Sequence, residues 1–322
     1  MTTSRWPQPL DRAVGPMAGD RIDGAAAGLG RFGPTTAALV ADGWIPPDLA
    51  CSMGLFILAR QPRPEPPAES ADRPAKTSAI TGSVWVREQC TIHTSFARTE
   101  AFTVEGENLN RFARKRRRYA SSGARSFGAD GRPLTTNLTT GLTSYRPVDG
   151  LADHHDGVPF DELAQPAVDF GSAGANPHLA RIAETAPGTR FESPPITVTL
   201  AMMAARDTAH SDNPIHSDPE QARAAGLDRP IAGGNHVLSF ALELLLAAWG
   251  PSALSHGALI DTRWKAPVSA DDTIVSRAEF RAADRGTVTA DLTVTLLDEH
   301  GNPGATAMQS TVTVPVAGTA AS

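Results

Sequence analysis

Asp212-Asn213-Pro214-Ile215-His216-Ser217-Asp218-Pro219, continued by Ala222-Arg223-Ala224-Ala225-Gly226 and by Pro230-Ile231-Ala232-Gly233-Gly234, is the stretch on which the reading of this chain turns. Asparagine bonds its own backbone and the residue before a proline avoids the helical region, so Asn213-Pro214 makes a rigid turn. That turn fixes one histidine, His216, shortly before a glycine-rich helix start. Histidine titrates near neutrality and exchanges protons with water, while the N–H groups of a helix N-terminus suit a carbonyl oxygen that gains negative charge. A base beside backbone donors suits addition or removal of water next to a carbonyl.

Downstream, Val237–Trp249 is almost continuously apolar, the pattern of a helix buried on most sides. Such a helix needs a sheet around it. Segments rich in Val, Thr and Ile follow at Ala258–Trp264, Thr273–Phe280, Thr287–Leu297 and Ala307–Val314, separated by Pro, Gly and Asp. The first half repeats this order. Ile45-Pro46-Pro47-Asp48 opens a helix through about Ala59, with proline in the first turn where its missing N–H costs little. Strands are expected at Gly82–His93, Phe102–Glu107, Arg117–Gly128 and Leu134–Tyr145. Gly131 and Pro133 of one turn stand 170 positions before Gly301 and Pro303 of another, punctuation that marks a tandem repeat. The expected division is residues 1–150, a connection over 151–190, and a second unit over 191–322. Only the second copy contains Asn-Pro-x-His, so one catalytic centre per chain is expected.

From about Ile196 to Pro315 the chain resembles the MaoC-like (R-specific) enoyl-CoA hydratase/dehydratase family. The resemblance rests on Asn213-Pro214-Ile215-His216, on Asp218-Pro219 with Ala222 and Gly226, and on Pro230-Ile231 with Gly234. It implies an α+β tandem (double) hotdog, each copy a long central helix wrapped by an antiparallel sheet. It further implies an Asp–His pair activating water against a 2-enoyl thioester on CoA or a carrier protein, and a motif-less first copy shaping the acyl-tail pocket. The chain departs from the family in two places. Ser211 stands where the family has its aspartate, with Asp212 beside it, and Gly233 stands where the family usually has histidine. His216 is then the general base, Asp212 or Ser211 the second acid/base or water-orienting group, and Asn213 the residue holding loop or water. Gly233 and Gly234 supply amides to the acyl carbonyl, and Phe56 lines the tail pocket. Asp207 falls on a helical stretch and reads as solvated. No metal or organic cofactor is required. Two other readings stay open: a lyase, isomerase or cyclase acting on a non-thioester secondary metabolite, and a non-catalytic acyl-binding protein.

Composition sets outer bounds. A chain of 322 residues with 41% hydrophobic content can bury two cores, and a net charge of -6 points away from nucleic acid. Two cysteines without metal-like spacing, and no apolar run of bilayer length, point to a cytoplasmic protein without a membrane partner; a homodimer is compatible with this. Gln61–Ser78 is proline-rich and charged and reads as an exposed insertion. His154-His155-Asp156 reads as solvated linker rather than a metal site, and Arg114-Lys115-Arg116-Arg117-Arg118 as a solvated strand start balanced by Glu100, Glu105 and Glu107, with phosphate gripping as the sharper alternative. Trp264 is expected to pack at a sheet edge.

Overall fold

A computed structural model describes residues 11–14, 19–52, 84–94, 97–143, 147–157, 160, 178–210, 213–281 and 286–315. The first half contributes β1 (Asp11–Val14), α1 (Gly19–Leu29), α2 (Pro34–Ala41) and a helix, α3, described over residues 47–52. The strands β2 (Val84–Ile92), β3 (Phe102–Arg114), β4 (Arg117–Gly128), β5 (Pro133–Leu142) and β6 (His154–Gly157) complete it. The second half adds α4 (Leu179–Ala183), β7 (Arg190–Glu192), β8 (Ile196–Thr197), α5 (Leu200–His210), α6 (Pro219–Ala224) and α7 (Gly234–Trp249). Its remaining strands are β9 (Ala258–Trp264), β10 (Thr273–Phe280), β11 (Thr287–Leu297) and β12 (Pro303–Pro315). Gln61–Ser78 lies outside the described residues.

The strands join one antiparallel sheet in the order β1-β3-β4-β5-β2-β9-β12-β11-β10-β7, with β6 on β3 and β8 on β10. The path reads the same from either end: β3-β4-β5-β2 in the first half is answered by β10-β11-β12-β9 in the second. The two meet where β2 pairs with β9, from Arg87 opposite Arg263 to Ile92 opposite Ala258. Edge-to-edge pairing satisfies two rows of backbone groups that would otherwise invite aggregation. The turns whose spacing betrayed the repeat are equivalent. Gly131 and Gly301 both hold positive φ, 82° and 81°, which glycine adopts without a Cβ clash. In each turn an aspartate folds back: Asp130 accepts from the Arg132 amide, and Asp298 from those of His300 and Asn302.

The second-half strands alternate buried and exposed positions and lay Ile260, Ile274, Ala278, Phe280, Ala290, Leu292, Val294 and Val312 into the core cluster that includes Leu238, Leu242, Leu245 and Trp249 of α7. The helix starts three residues before the apolar run that predicts it. Gly233, extended at φ −60° and ψ 147°, is its N-cap, which draws Asn235 and His236 into the buried first turn.

The sequence gives no sign of how α1 and α2 dock. Glu243 of α7 accepts hydrogen bonds from the Thr35 amide (2.7 Å), the Thr36 amide (2.9 Å) and the Thr36 hydroxyl (2.7 Å). One carboxylate of the second half therefore caps a helix of the first, where helix polarity favours negative charge. Residues Arg114–Arg118 close the β3-β4 hairpin and lead into β4 at Arg117, with Lys115 and Arg116 both at positive φ as a two-residue turn requires. Their counter-charges come from the next segment: Arg116 pairs with Asp149, and the Lys115 amide donates to Asp153. Glu100, expected to balance this cluster, instead pairs with Arg132. His154-His155-Asp156 is exposed as expected, but it forms strand β6, and His155 stacks on Phe112. Trp264 lies at the seam between the halves rather than at an edge, 5.9 Å from the Trp85 ring. Among the described residues no helix is long and apolar enough to cross a membrane.

Candidate active site

Each marked position of the motif has a local structural reason. Pro214–His216 form one turn of 3-10 helix, and Ile215 is buried against Ala222, Leu227 and Ile231, with Val84 of the first half packed on the same cluster. Asp218 caps α6 by accepting from the Glu220 and Gln221 amides, and Pro219 takes the first-turn position where no N–H is needed. Gly226, at φ 91°, ends that helix, and the Leu227 amide reaches back to the Ala222 carbonyl. The turn, cap and stop together hold the His216 backbone against the strand-like Ile231.

His216 is half-buried, and its Nδ1 lies 2.6 Å from the Ile231 carbonyl oxygen. A carbonyl only accepts, so Nδ1 carries the proton and the neutral ring presents Nε2 as its basic atom. The Nε2 edge faces the start of α7. A Cβ placed on Gly233 would stand 4.0 Å from both Cε1 and Nε2, so glycine leaves open the space beside the base. No side chain caps α7, which leaves its first-turn N–H groups to a ligand. Gly234 is required for a different reason: a Cβ there would lie 2.9 Å from the Trp264 ring, whose Nε1 donates to the Gly234 carbonyl at 2.9 Å.

Around this point several buried polar groups lack partners among the described residues. They are Oδ1 of Asn213, both amide atoms of Asn235, Nδ1 of His236, and Nε and Nη1 of Arg206. Orphaned buried groups are rare in folded proteins and call for an explanation such as a ligand or water. Burial, then the Arg206 charge, push the His236 pKa down to about 3; the bond from its Nε2 to the Gly28 carbonyl (2.7 Å) opposes this, and His216 adds to the depression. His236 is therefore a neutral hydrogen-bonding group at physiological pH, and its bond to Gly28 ties the first half to the second. Arg206 forms a buried ion pair with Asp48 of α3.

Of the residues anticipated from sequence, the structure brings together His216, Asn213, Gly233 and Gly234. Ser211, Asp212 and Phe56 lie outside the described residues, and Asp207 falls on α5 as expected while its side chain is undescribed. His236, Asn235, Arg206 and Asp48 were not anticipated. The signal for the first two was present, as polar residues leading directly into an apolar helix. Nothing local marks the ion pair, whose members are 158 positions apart.

Residues 183–300 match the family model described as MaoC like domain. No curated protein sequence matches the chain. Among solved structures, a MaoC-like dehydratase superposes with a TM-score of 0.64 at 16% identity, covering 96% of this chain and 97% of its own. A MaoC-like dehydratase from Phytophthora capsici gives 0.62 at 14% identity, covering 95% of each chain. A Mycobacterium tuberculosis protein described as having a double hotdog fold gives 0.63 at 12% identity, covering 96% of each. At such identities the likeness speaks for the fold. The chain is a double hotdog, and residues 183–300 of its second half are similar to the MaoC like domain.

Proposed function

We propose that the protein is a hydratase/dehydratase that adds water to, or removes it from, the 2,3-position of an acyl thioester carried by CoA or a carrier protein. The observation that supports this most is the placement of His216: its tautomer is set by the Ile231 carbonyl, and Nε2 faces an uncapped helix N-terminus. In the hydration direction, Nε2 takes a proton from water as the water oxygen bonds to C3. The electron pair of the C2–C3 double bond moves toward the thioester carbonyl, where the amides of Gly234 and its neighbours stabilise the developing oxyanion. Return of a proton to C2 completes the addition, and dehydration runs the same steps backwards. Asn213 holds water or loop, and Asp212 or Ser211 is the second group that orients or protonates.

His216→Ala is expected to lower hydration of a 2-enoyl-CoA, followed by loss of the enoyl-thioester absorbance, by about 10²–10⁴-fold while the thermal melt is retained. Wild-type turnover in a folded variant would overturn the assignment. A lyase, isomerase or cyclase acting on a non-thioester substrate is the second reading, favoured by Ser211 standing in place of the family's aspartate. It forecasts no turnover of any 2-enoyl thioester.

A further inference from the structure

One end of the first-half sheet carries a buried polar surface that the mechanism does not use. The register places Ser122, Thr139, Glu88, Thr262 and Ser310 in one row across β4, β5, β2, β9 and β12, on the face that also holds the core residues Cys90, Ile92 and Ala124. The next row brings Ala124, Asn137 and Cys90 side by side. Glu88 is 1% exposed and Asn137 fully buried. Among the described residues the Glu88 carboxyl has one hydrogen bond, a 3.3 Å donation from the Thr139 hydroxyl. Apart from contact with the Cys90 thiol, neither end of the Asn137 amide has a partner among the described residues. Burying such groups unpaired costs about 1–3 kcal/mol each, and an apolar residue of similar shape would avoid that cost.

Two routes of neighbouring residues lead from this surface toward the candidate active site. Trp264, held on Gly234, touches Trp85, and Glu88 follows Trp85 by three residues, about 10 Å along β2. From the helix side, Asp48 lies within electrostatic reach of Glu88 and is paired to Arg206 beside His236. The Trp85–Trp264 contact on one side and the Asp48–Arg206 pair on the other thus lie between this surface and the start of α7.

We propose that Glu88 and Asn137 form a subsite for an oxygen-bearing group of the acyl chain, a hydroxyl or carbonyl remote from the reacting carbon, so that oxygenated acyl groups are selected over plain alkyl ones. The Asn137 amide offers both a donor and an acceptor, which a hydroxyl or carbonyl oxygen can use and a methylene cannot. Burial lifts the Glu88 pKa to about 8, against the Thr139 bond and with help from Asp48, so near neutrality its carboxyl can donate as well as accept. A site built to hydrogen-bond a polar group discriminates strongly against the analogue lacking it, since its own groups are then stranded.

This subsite rests on the thioester reading above, and its test separates the two. The kcat/KM of the full chain is measured on but-2-enoyl-CoA and on a pair of longer 2-enoyl-CoA substrates of equal length, one plain and one bearing a mid-chain hydroxyl or keto oxygen. Wild type is expected to favour the oxygenated partner by about 10-fold or more. In Asn137→Leu and in Glu88→Leu the ratio falls toward one, while Asn137→Leu melts at or above the wild-type temperature. No preference in wild type, or a preference unchanged in both variants, overturns the subsite while leaving hydration intact. Failure to hydrate even but-2-enoyl-CoA overturns the thioester reading and the subsite with it.

Discussion

The two halves share a strand order but bury different chemistry on the corresponding sheet face. In the second half that face is mainly Ile260, Val294, Leu292, Ala290, Val312 and Val314, with Thr262, Ser276 and Ser310 among them, laid against a sixteen-residue helix with Leu238, Leu242 and Leu245 buried. In the first half the sheet carries Glu88, Cys90, Asn137, Thr139, Ser122 and Ser126, with an apolar floor at Ile92, Phe102, Val104, Ala124 and Leu134. An apolar face removes surface from water at about 25 cal/mol per Å² and needs no partner. A polar face gains little unless each group is bonded, and here several are not. One copy of the repeat therefore supplies most of the hydrophobic stabilisation, and the other retains groups suited to a ligand.

Four variants break or sharpen this contrast. The largest effect is expected from the link between the halves. Arg206→Ala strands Asp48 in a buried site, and chemical denaturation should show a loss of about 3–5 kcal/mol. Leu292→Ala opens a cavity in the apolar face and should cost about 2–5 kcal/mol, against a neutral or stabilising outcome for Asn137→Leu on the polar one. Equal losses for these two would dissolve the distinction.

The smallest effect is a pH dependence with opposite signs in the two halves. Glu88 has a folded pKa of about 8 against the ordinary 4.5, so the folded state holds the extra proton between those values. Its contribution is complete below 4.5 and is lost as pH rises through 8. His236 has a folded pKa of about 3 against 6.5, so its contribution is complete above 6.5 and is lost as pH falls towards 3. Denaturation curves across pH should show Glu88→Gln removing the alkaline decline and leaving the acid one. An alkaline decline unchanged in that variant would mean that Glu88 is not held protonated.

Much of the fold was legible because its signals are local. The strands β4, β9, β10 and β11 fall on the expected residues, since alternation of β-branched and polar residues records which side of a strand faces the core. The bounds of β3 differ. It continues through Arg114 because pairing with β4 holds a basic, polar segment that has no apolar alternation of its own. The motif around His216 was legible for a related reason: Asp218, Pro219, Ala222 and Gly226 are a cap, a first-turn proline, a buried small residue and a helix stop.

The sequence by itself determined the repeated helix-and-strand order, the cap-and-turn frame that presents His216, and the glycines at the start of the long helix, because short-range backbone rules fix all three. Only the tertiary structure decided that Ile231 sets the His216 tautomer, that Glu243 caps α2, that Arg206 meets Asp48, and that Glu88 and Asn137 share a buried face. These pairings join residues up to 208 positions apart. They form when sheet pairing and core packing bring distant segments together, and no local propensity records them.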